Sequence, residues 1–268
     1  MVTLMTTSIK FIATDMDGTL LCDNKQLPSD FYEVFQQLQQ KNILFSAASG
    51  RQYQSLVNTF EPVKEEMVFI AENGTLVMYK GKEIYSSTIP TDEIHTILKS
   101  VKQVPDCDIV LCGKNSAYTE ATSERALNEI RKYYHNLKLV DDLFSVDDEF
   151  IKIAVLNFNG TEDHIYPVLA PVFGETHQVV VSAKIWLDLM HKTASKGAAI
   201  KHLQKEFGFT FEESMSFGDF FNDVEMLKET YHSYAMENAH PEIKKLARFE
   251  APSNNEQGVM TVIKKTIL

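Results

Sequence analysis

The sequence predicts an α/β protein in which a doubly wound parallel sheet carries an inserted α+β domain. Three observations lead there. Short apolar runs alternate with helix-period stretches over residues 9–84, a different mixed pattern fills residues 85–185, and the alternation returns from residue 186 onward. Regular strand–helix alternation is the mark of a parallel sheet with helices on both faces. The expected division is therefore a core of residues 1–84 and 186–268 with an insertion of residues 85–185. A chain of 268 residues is long for one compact core, which suits a core plus an insertion.

Residues 9–14 read as the first strand. Pro28-Ser29 opens a helix in which Phe31, Val34, Phe35 and Leu38 recur at three- and four-residue spacing, with Ser29 or Asp30 as cap. Ile43 to Ala48 is a strand of the buried parallel type. Gln52 to Phe60 reads as a helix with Tyr53, Leu56 and Val57 on one side. Val68 to Ala71 is the next strand, and Asn73-Gly74 turns the chain into a further strand, Thr75 to Tyr79.

In the insertion, Ile94, Ile97, Leu98 and Val101 mark one helix, and Ala126, Leu127, Ile130 and Tyr133/Tyr134 a second. Asp108 to Cys112, Phe150 to Phe158 and Gln178 to Ser182 read as strands, and Ile165 to Phe173 as a short helix interrupted by Pro167 and Pro171. The parallel pattern is expected to resume at Trp186-Leu187-Asp188-Leu189. Ser195 then caps a helix reaching Phe207, Met215 to Phe217 is a strand, and Asp223 to Leu227 opens a helix. Tyr231–Met236, Pro241–Leu246 and Gln257–Ile267 continue the alternation, with a surface loop at Pro252-Ser253-Asn254-Asn255.

Composition bounds the function. With 44% apolar and 24% charged residues the chain is of ordinary globular type. A net charge of −11 argues against nucleic acid, whose phosphates require a basic face. A small anionic substrate stays compatible, because one lysine or arginine and a metal reverse the field inside a pocket. The three cysteines, Cys22, Cys107 and Cys112, form no Cys-x-x-Cys pair, and the odd number suits reduced thiols in the cytoplasm. No run approaches 18 apolar residues, and Met1 to Lys10 lacks the apolar stretch of a signal peptide. The expectation is a soluble cytoplasmic protein, a monomer or weak homo-oligomer, with a small-molecule partner and neither nucleic acid nor membrane.

The chemistry starts at Phe11-Ile12-Ala13-Thr14-Asp15-Met16-Asp17-Gly18-Thr19-Leu20, where a strand ends in two carboxylates two residues apart. In an open α/β sheet ligands sit outside the carboxyl ends of the strands. Two aspartates this close repel unless a cation lies between them, and a divalent metal with a nucleophile and acid pair uses both. Gly18 permits the sharp turn and Thr19 offers a hydroxyl. Ser49-Gly50-Arg51 follows the second apolar run, Lys196-Gly197 opens a helix, and Gly218-Asp219-Phe220-Phe221-Asn222-Asp223 follows the run Ser214 to Phe217.

In this order and spacing, these residues resemble the four motifs of the haloacid dehalogenase (HAD) superfamily of phosphohydrolases. Ala71-Glu72-Asn73-Gly74 and the long insertion before Lys196 bring the chain closer to the Cof-type sugar phosphatases, which carry a type IIB α/β cap. The resemblance implies a HAD-like Rossmannoid core and a Mg2+-dependent phosphatase of small phosphorylated metabolites, sugar phosphates first. It implies Asp15 as the nucleophile that becomes an aspartyl-phosphate and Asp17 as general acid and base. Lys196 is implied as the fixed cation and Ser49 as a phosphoryl-binding hydroxyl, both counted with the catalytic groups. Gly50, Arg51, Asn73 and Asn222 are implied at the substrate, and Asp15, Asp17, Asp219 and Asp223 around Mg2+, with Asp223 orienting the shell from behind. A phosphosugar mutase or phosphotransferase, and a non-catalytic phosphometabolite sensor, are the alternatives. Pyridoxal phosphate or a flavin nucleotide is a possible non-sugar substrate.

The chain departs from the family pattern at Phe220 and at Glu237 of Met236-Glu237-Asn238-Ala239, where smaller residues are usual. Lys114, Asn115, Tyr118 and Glu120 are candidates to face the site from the insertion, and Trp186 lies at the expected junction. The eight histidines form no metal-spaced cluster.

Overall fold

The computed structural model describes residues 8–268, so the reading of Met1 to Lys10 falls largely outside the described residues. The chain forms two compact units. The first comprises the chain up to Gly50, Phe60–Tyr85 and Ser195–Leu268, and the second comprises Arg51–Thr59 and Ser86–Ala194.

The strands in chain order are β1 Phe11–Thr14, β2 Leu44–Ala48, β3 Val68–Ala71, β4 Leu76–Tyr79 and β5 Lys82–Ser86. The insertion carries β6 Asp108–Gly113, β7 Ala117–Thr119, β8 Leu137–Leu139, β9 Phe150–Leu156, β10 His177–Ala183 and β11 Trp186–His191. The chain closes with β12 Ser214–Gly218, β13 His232–Met236 and β14 Phe249–Ala251.

The first sheet has the order β14-β13-β12-β1-β2-β3-β4-β5. From β14 to β3 every pairing is parallel, and β4 turns back antiparallel to β3. The strand order reverses at β1, which lies between β2 and β12. A crevice opens at the carboxyl end of a strand in that position, because the connections on its two sides leave in opposite directions.

Apolar residues cover both faces of this sheet, as its continuous apolar strands require. On one face Phe11 and Ala13 of β1 and Val68 and Ile70 of β3 pack with Ala199, Ile200 and Leu203 of the helix Lys196–Phe207. Phe11 stacks on Phe209 with ring centres 4.5 Å apart. On the other, Phe45 meets Phe31 and Phe35 of the helix Phe31–Gln40, and Phe60 packs on Phe69. Ser195 caps its helix by accepting from the Ala198 amide. Asp30 occupies the N-cap position of Phe31–Gln40 but makes no side-chain cap, because its carboxylate pairs with Lys264 at 2.5 Å.

The second unit is built on a sheet of order β10-β11-β9-β6-β7-β8, antiparallel except for the β7–β8 pair. One face, with Ile109, Leu111, Ile153, Val155, Leu187 and Leu189, packs against the helices Thr91–Val101 and Tyr166–Phe173. The latter accommodates Pro167 in its first turn and Pro171 inside.

Two expectations are corrected here. Trp186-Leu187-Asp188-Leu189 does not resume the parallel sheet: β11 pairs antiparallel with β9 and β10, and the chain rejoins the first unit only at Ser195. An apolar strand looks alike in either sheet, so its sequence could not assign it. The Pro252–Asn255 stretch is no plain surface loop, since Asn254 is 3% exposed and its side chain donates to Leu21 O and Asp23 Oδ1.

Gly74 adopts φ +92°, and a Cβ there would lie 2.2 Å from the Ser195 carbonyl oxygen and 2.8 Å from the Lys196 nitrogen. Backbone cannot yield as a side-chain end can. Gly74→Ala should therefore lower unfolding free energy by about 2–3 kcal/mol, measured by urea denaturation, against the few tenths expected of an ordinary surface change.

Candidate active site

Asp15 is the residue immediately after β1. Its amide donates to the Phe217 carbonyl at the end of β12, which carries the sheet pairing up to the functional loop. The chain then bends through Gly18, at φ +83°. A Cβ on Gly18 would stand 2.5 Å from Asp219 Oδ2, so glycine is required both for the conformation and for close approach. Thr19 donates its hydroxyl to Asp219 Oδ1 at 2.9 Å, joining the loop after β1 to the loop after β12.

Lys196 is the centre of the arrangement. It opens the helix Lys196–Phe207, is 0% exposed, and donates to Asp15 Oδ1 at 2.5 Å and Asp223 Oδ1 at 2.7 Å. Gly197 allows that helix to sit against the Glu225 backbone, since a Cβ there would lie 2.5 Å from the Glu225 carbonyl oxygen. Asp223 Oδ2 accepts from the Asp219 and Phe220 amides at 2.9 and 3.2 Å. Both its oxygens are thus engaged, one holding the lysine and one shaping the loop that presents Asp219.

Carboxylate oxygens of Asp15, Asp219 and Asp223 lie within 4.8 Å of one another. One ammonium faces three carboxylates, which leaves the pocket net negative. Among the described residues no hydrogen bond reaches Oδ2 of Asp15 or of Asp219. Two hard oxygen donors in a net negative pocket fit Mg2+, which is held by one or two carboxylates and keeps its remaining positions for water and phosphate.

Burial works against the Lys196 ammonium, but Asp15 and Asp223 outweigh it and hold the lysine above its ordinary pKa. Burial pushes the Asp15 carboxyl up, with Lys196 opposing and Asp223 and Asp219 adding to the rise. Burial, then the Asp223 charge, pushes Asp219 up to about 6. Crowded carboxylates of this kind are disfavoured as anions until a cation joins them.

Asp17 is not one of the three converging carboxylates, though its charge adds to the rise at Asp219. Its side chain is 39% exposed and Lys25 donates to its Oδ1 at 2.8 Å. The three converging carboxylates are those of Asp15, Asp219 and Asp223, and the metal role expected of Asp17 is through its backbone carbonyl. Nothing in the sequence singles out Lys25, which occupies a turn at φ +65°.

Ser49, buried at the end of β2, donates its amide to Ile70 O and accepts the Asn73 amide at its own carbonyl, both at 2.9 Å. Glu72 and Asn73 take left-handed conformations, φ +49° and +56°. Asn222 donates its amide to Asn73 Oδ1 at 3.1 Å, and a Cβ on Gly50 would meet the Asn73 amide at 3.2 Å. Ser49, Gly50, Asn73 and Asn222 are therefore brought together from three loops. Arg51 is the first residue of the segment that packs with the second unit. Phe220 and Phe221 are 54% and 50% exposed and form an aromatic group with His240, whose ring is 4.6 Å from Phe221.

The candidates in the insertion are engaged within their own unit. Tyr118 donates its hydroxyl to Asp148 at 2.8 Å, Asn115 donates to the same carboxylate, Lys114 pairs with Glu149, and Glu120 pairs with Lys102 and accepts the Leu143 amide. Trp186 is buried against Tyr133 and Tyr134. Among the described residues, no helix is long and apolar enough to cross a membrane, and Cys22, Cys107 and Cys112 form no disulfide.

Comparisons with known proteins identify the family. A family model of haloacid dehalogenase-like hydrolases matches residues 12–263. The 5-amino-6-(5-phospho-D-ribitylamino)uracil phosphatase YbjI of Escherichia coli is 35% identical over 262 residues, 97% of each chain. The crystal structure of SMU.1108c from Streptococcus mutans matches with a TM-score of 0.87 at 30% identity, over 96% of this chain and 98% of that one. The HAD subclass IIB sugar phosphatase BT4131 shares the fold, with a TM-score of 0.77 at 21% identity over 96% and 98% of the two chains.

The crowding of acids has a consequence for stability. A carboxyl whose folded pKa is about 6 against 3.8 unfolded is protonated in the folded state between those values, so its ionisation weakens the fold as pH rises through that window and fully above it. In the absence of divalent cations, Asp219→Asn should raise unfolding free energy at pH 7.5 by at most about 3 kcal/mol and leave it unchanged near pH 4. Thermal melts at the two pH values test this.

Proposed function

The chain belongs to the haloacid dehalogenase-like hydrolases and is a phosphatase of their Cof type, and from that premise we propose that it is a Mg2+-dependent hydrolase of small phosphorylated metabolites acting through an aspartyl-phosphate on Asp15. The observation that carries the reading is the buried Lys196, held between Asp15 and Asp223 with Asp219 in the same cluster. A structural lysine would not need to be surrounded by more carboxylates than it can neutralise.

In this reading Asp15 attacks phosphorus, forming the Asp15–O–P bond as the bond to the leaving alkoxide breaks, and Asp17 gives that oxygen its proton. Asp17 then takes a proton from water, which hydrolyses the aspartyl-phosphate and restores Asp15. Lys196 offsets negative charge on Asp15 and on the phosphoryl oxygens as it accumulates. Ser49, with the close approach that Gly50 allows, and the Asn73–Asn222 pair hold the phosphoryl group, and Arg51 serves the substrate. Mg2+ would be held by Asp15, Asp219 and the Asp17 backbone carbonyl, and supplies Lewis-acid polarisation of the phosphoryl oxygens. Asp223 orients that shell through Lys196 and the Asp219 amide. The second unit is read as the substrate-specificity cap, and the protein as cytoplasmic, a monomer or weak homo-oligomer.

The Escherichia coli relative is named for a 5-phospho-D-ribityl group on an aminouracil, a phosphorylated sugar alcohol. That supports sugar and sugar-alcohol phosphates as the first substrates to try.

Phosphate release from a panel of such metabolites should require Mg2+, stop with a chelator, and vanish in Asp15→Asn while the fold persists. Isomerised sugar phosphate without inorganic phosphate would instead indicate a mutase. Asp17→Asn should lower kcat on alkyl phosphates by about 10²–10⁴-fold and much less on p-nitrophenyl phosphate, whose leaving group needs no proton. Steady-state kinetics on the two substrates decide it, and an equal loss on both would remove the acid role.

A further inference from the structure

The loop after β1 is held from a part of the chain more than 200 residues away. Asn238, just beyond β13, donates its amide to the Gly18 carbonyl at 2.7 Å, and its Oδ1 accepts the backbone amide of Asn254 at 3.1 Å. Asn254 in turn donates to Leu21 O and to Asp23 Oδ1, both at 3.0 Å. Asn255 exchanges two bonds with Asp23, donating Nδ2 to Oδ2 at 3.0 Å and accepting the Asp23 amide at 3.1 Å. The Asn254 segment is itself fixed from below, since a Cβ on Gly258 would lie 1.9 Å from the Pro252 carbonyl oxygen.

The gripped positions lie just after the proton-transfer residue. Gly18 follows Asp17 directly, and Asp17 and Leu21 form an isolated backbone bridge. Asn238 is exposed, so water could satisfy the Gly18 carbonyl and burial does not demand the amide there. What the side chain adds is geometry. A donor and an acceptor on one short, stiff group link Gly18 to Asn254, which neither aspartate nor a hydroxyl residue reproduces in full.

We propose that Asn238 and Asn254 are positioning residues, a clamp that sets the place of the Asp15–Asp17 loop so that Asp17 meets the leaving-group oxygen. The inference rests on the role given to Asp17 above. General acid transfer demands placement within hydrogen-bond reach, and a displacement of about 1 Å costs up to about 10²-fold. Without the Asn238 donor the Gly18 carbonyl loses its tie to the Asn254 segment, and the turn that carries Asp17 is left to Thr19 and its own backbone bonds, a looser placement of the acid.

The test compares the full chain with Asn238→Ala and Asn238→Asp, the second keeping the acceptor for Asn254 but losing the donor to Gly18. With Mg2+ present, kcat and KM are measured on a sugar phosphate and on p-nitrophenyl phosphate, alongside thermal melts. Both variants should keep their melting temperature within about 2 °C. They should lose about tenfold or more in kcat on the alkyl phosphate and about threefold or less on the aryl phosphate, with KM unchanged. Should Asn238→Ala fail to fold, the same ratio is read from Asn238→Asp. Unchanged kinetics, or an equal loss on both substrates, would overturn the clamp. Asp15→Asn separates the two ideas: turnover retained there strikes the nucleophile, whereas an inactive Asp15→Asn beside unaffected Asn238 variants strikes the clamp alone.

Discussion

One buried ammonium organises the first unit. Lys196 has no exposure, and its two short bonds to Asp15 and Asp223 tie the end of β1 to the loop after β12 through a helix start that neither strand adjoins in sequence. Removing the lysine itself would leave its buried carboxylates without a counter-charge in a medium that solvates them poorly, a loss of about 3–5 kcal/mol. The glycines around it follow from the same requirement. Gly18, Gly74 and Gly197 each stand where a Cβ would strike Asp219, the Ser195 backbone or the Glu225 backbone. Close approach of four chain segments to a single charge leaves no room for side chains.

Most of this was legible in the sequence because the site lies at strand ends. An apolar run ended by Asp, Ser or Gly-Asp announces both the strand and the chemistry, and the parallel sheet makes the carboxyl ends converge. Asp15, Asp219 and Asp223 come together for that reason, whereas Lys196 opens a helix 181 residues from Asp15 and was expected beside it only from the resemblance to the family motifs. The boundary of the insertion was not legible, because β11 is as apolar as a core strand and only its antiparallel partners β9 and β10 reveal which sheet it joins. Long-range polar contacts were equally hidden. Asn254 sits in a stretch whose composition reads as a surface loop, and nothing local says that its amide is spent on Leu21 and Asp23. Lys25 and Asp17, eight residues apart in a turn, give no periodic signal at all.

The polar residues of the second unit teach a related lesson about distance from function. Tyr118, Asn115, Lys114 and Glu120 looked like contacts for a ligand because they follow a strand and carry hydrogen-bonding groups. Each has a partner within its own unit, with Asp148 alone taking two of them. Buried or half-buried polar groups in a small sheet must be satisfied locally. Polarity at a strand end is therefore weak evidence of a site unless, as after β1, the groups carry more charge than their neighbours can neutralise.

That excess is the feature that separates the cluster from a structural ion pair. Lys196 balances one carboxylate, yet Asp15, Asp219 and Asp223 share the pocket, and burial raises both Asp15 and Asp219. A fold selected for stability alone would replace one of these acids by an amide, which keeps the hydrogen bonds and drops the repulsion. Retaining all three suits the proposed role, in which a further cation completes the balance and a reacting group uses the field that results. Thr19, and the Asp223 carboxylate that accepts the Asp219 and Phe220 amides, hold Asp219 in place against that repulsion. The loops that carry these acids spring from β1 and β12, neighbouring strands of the parallel sheet.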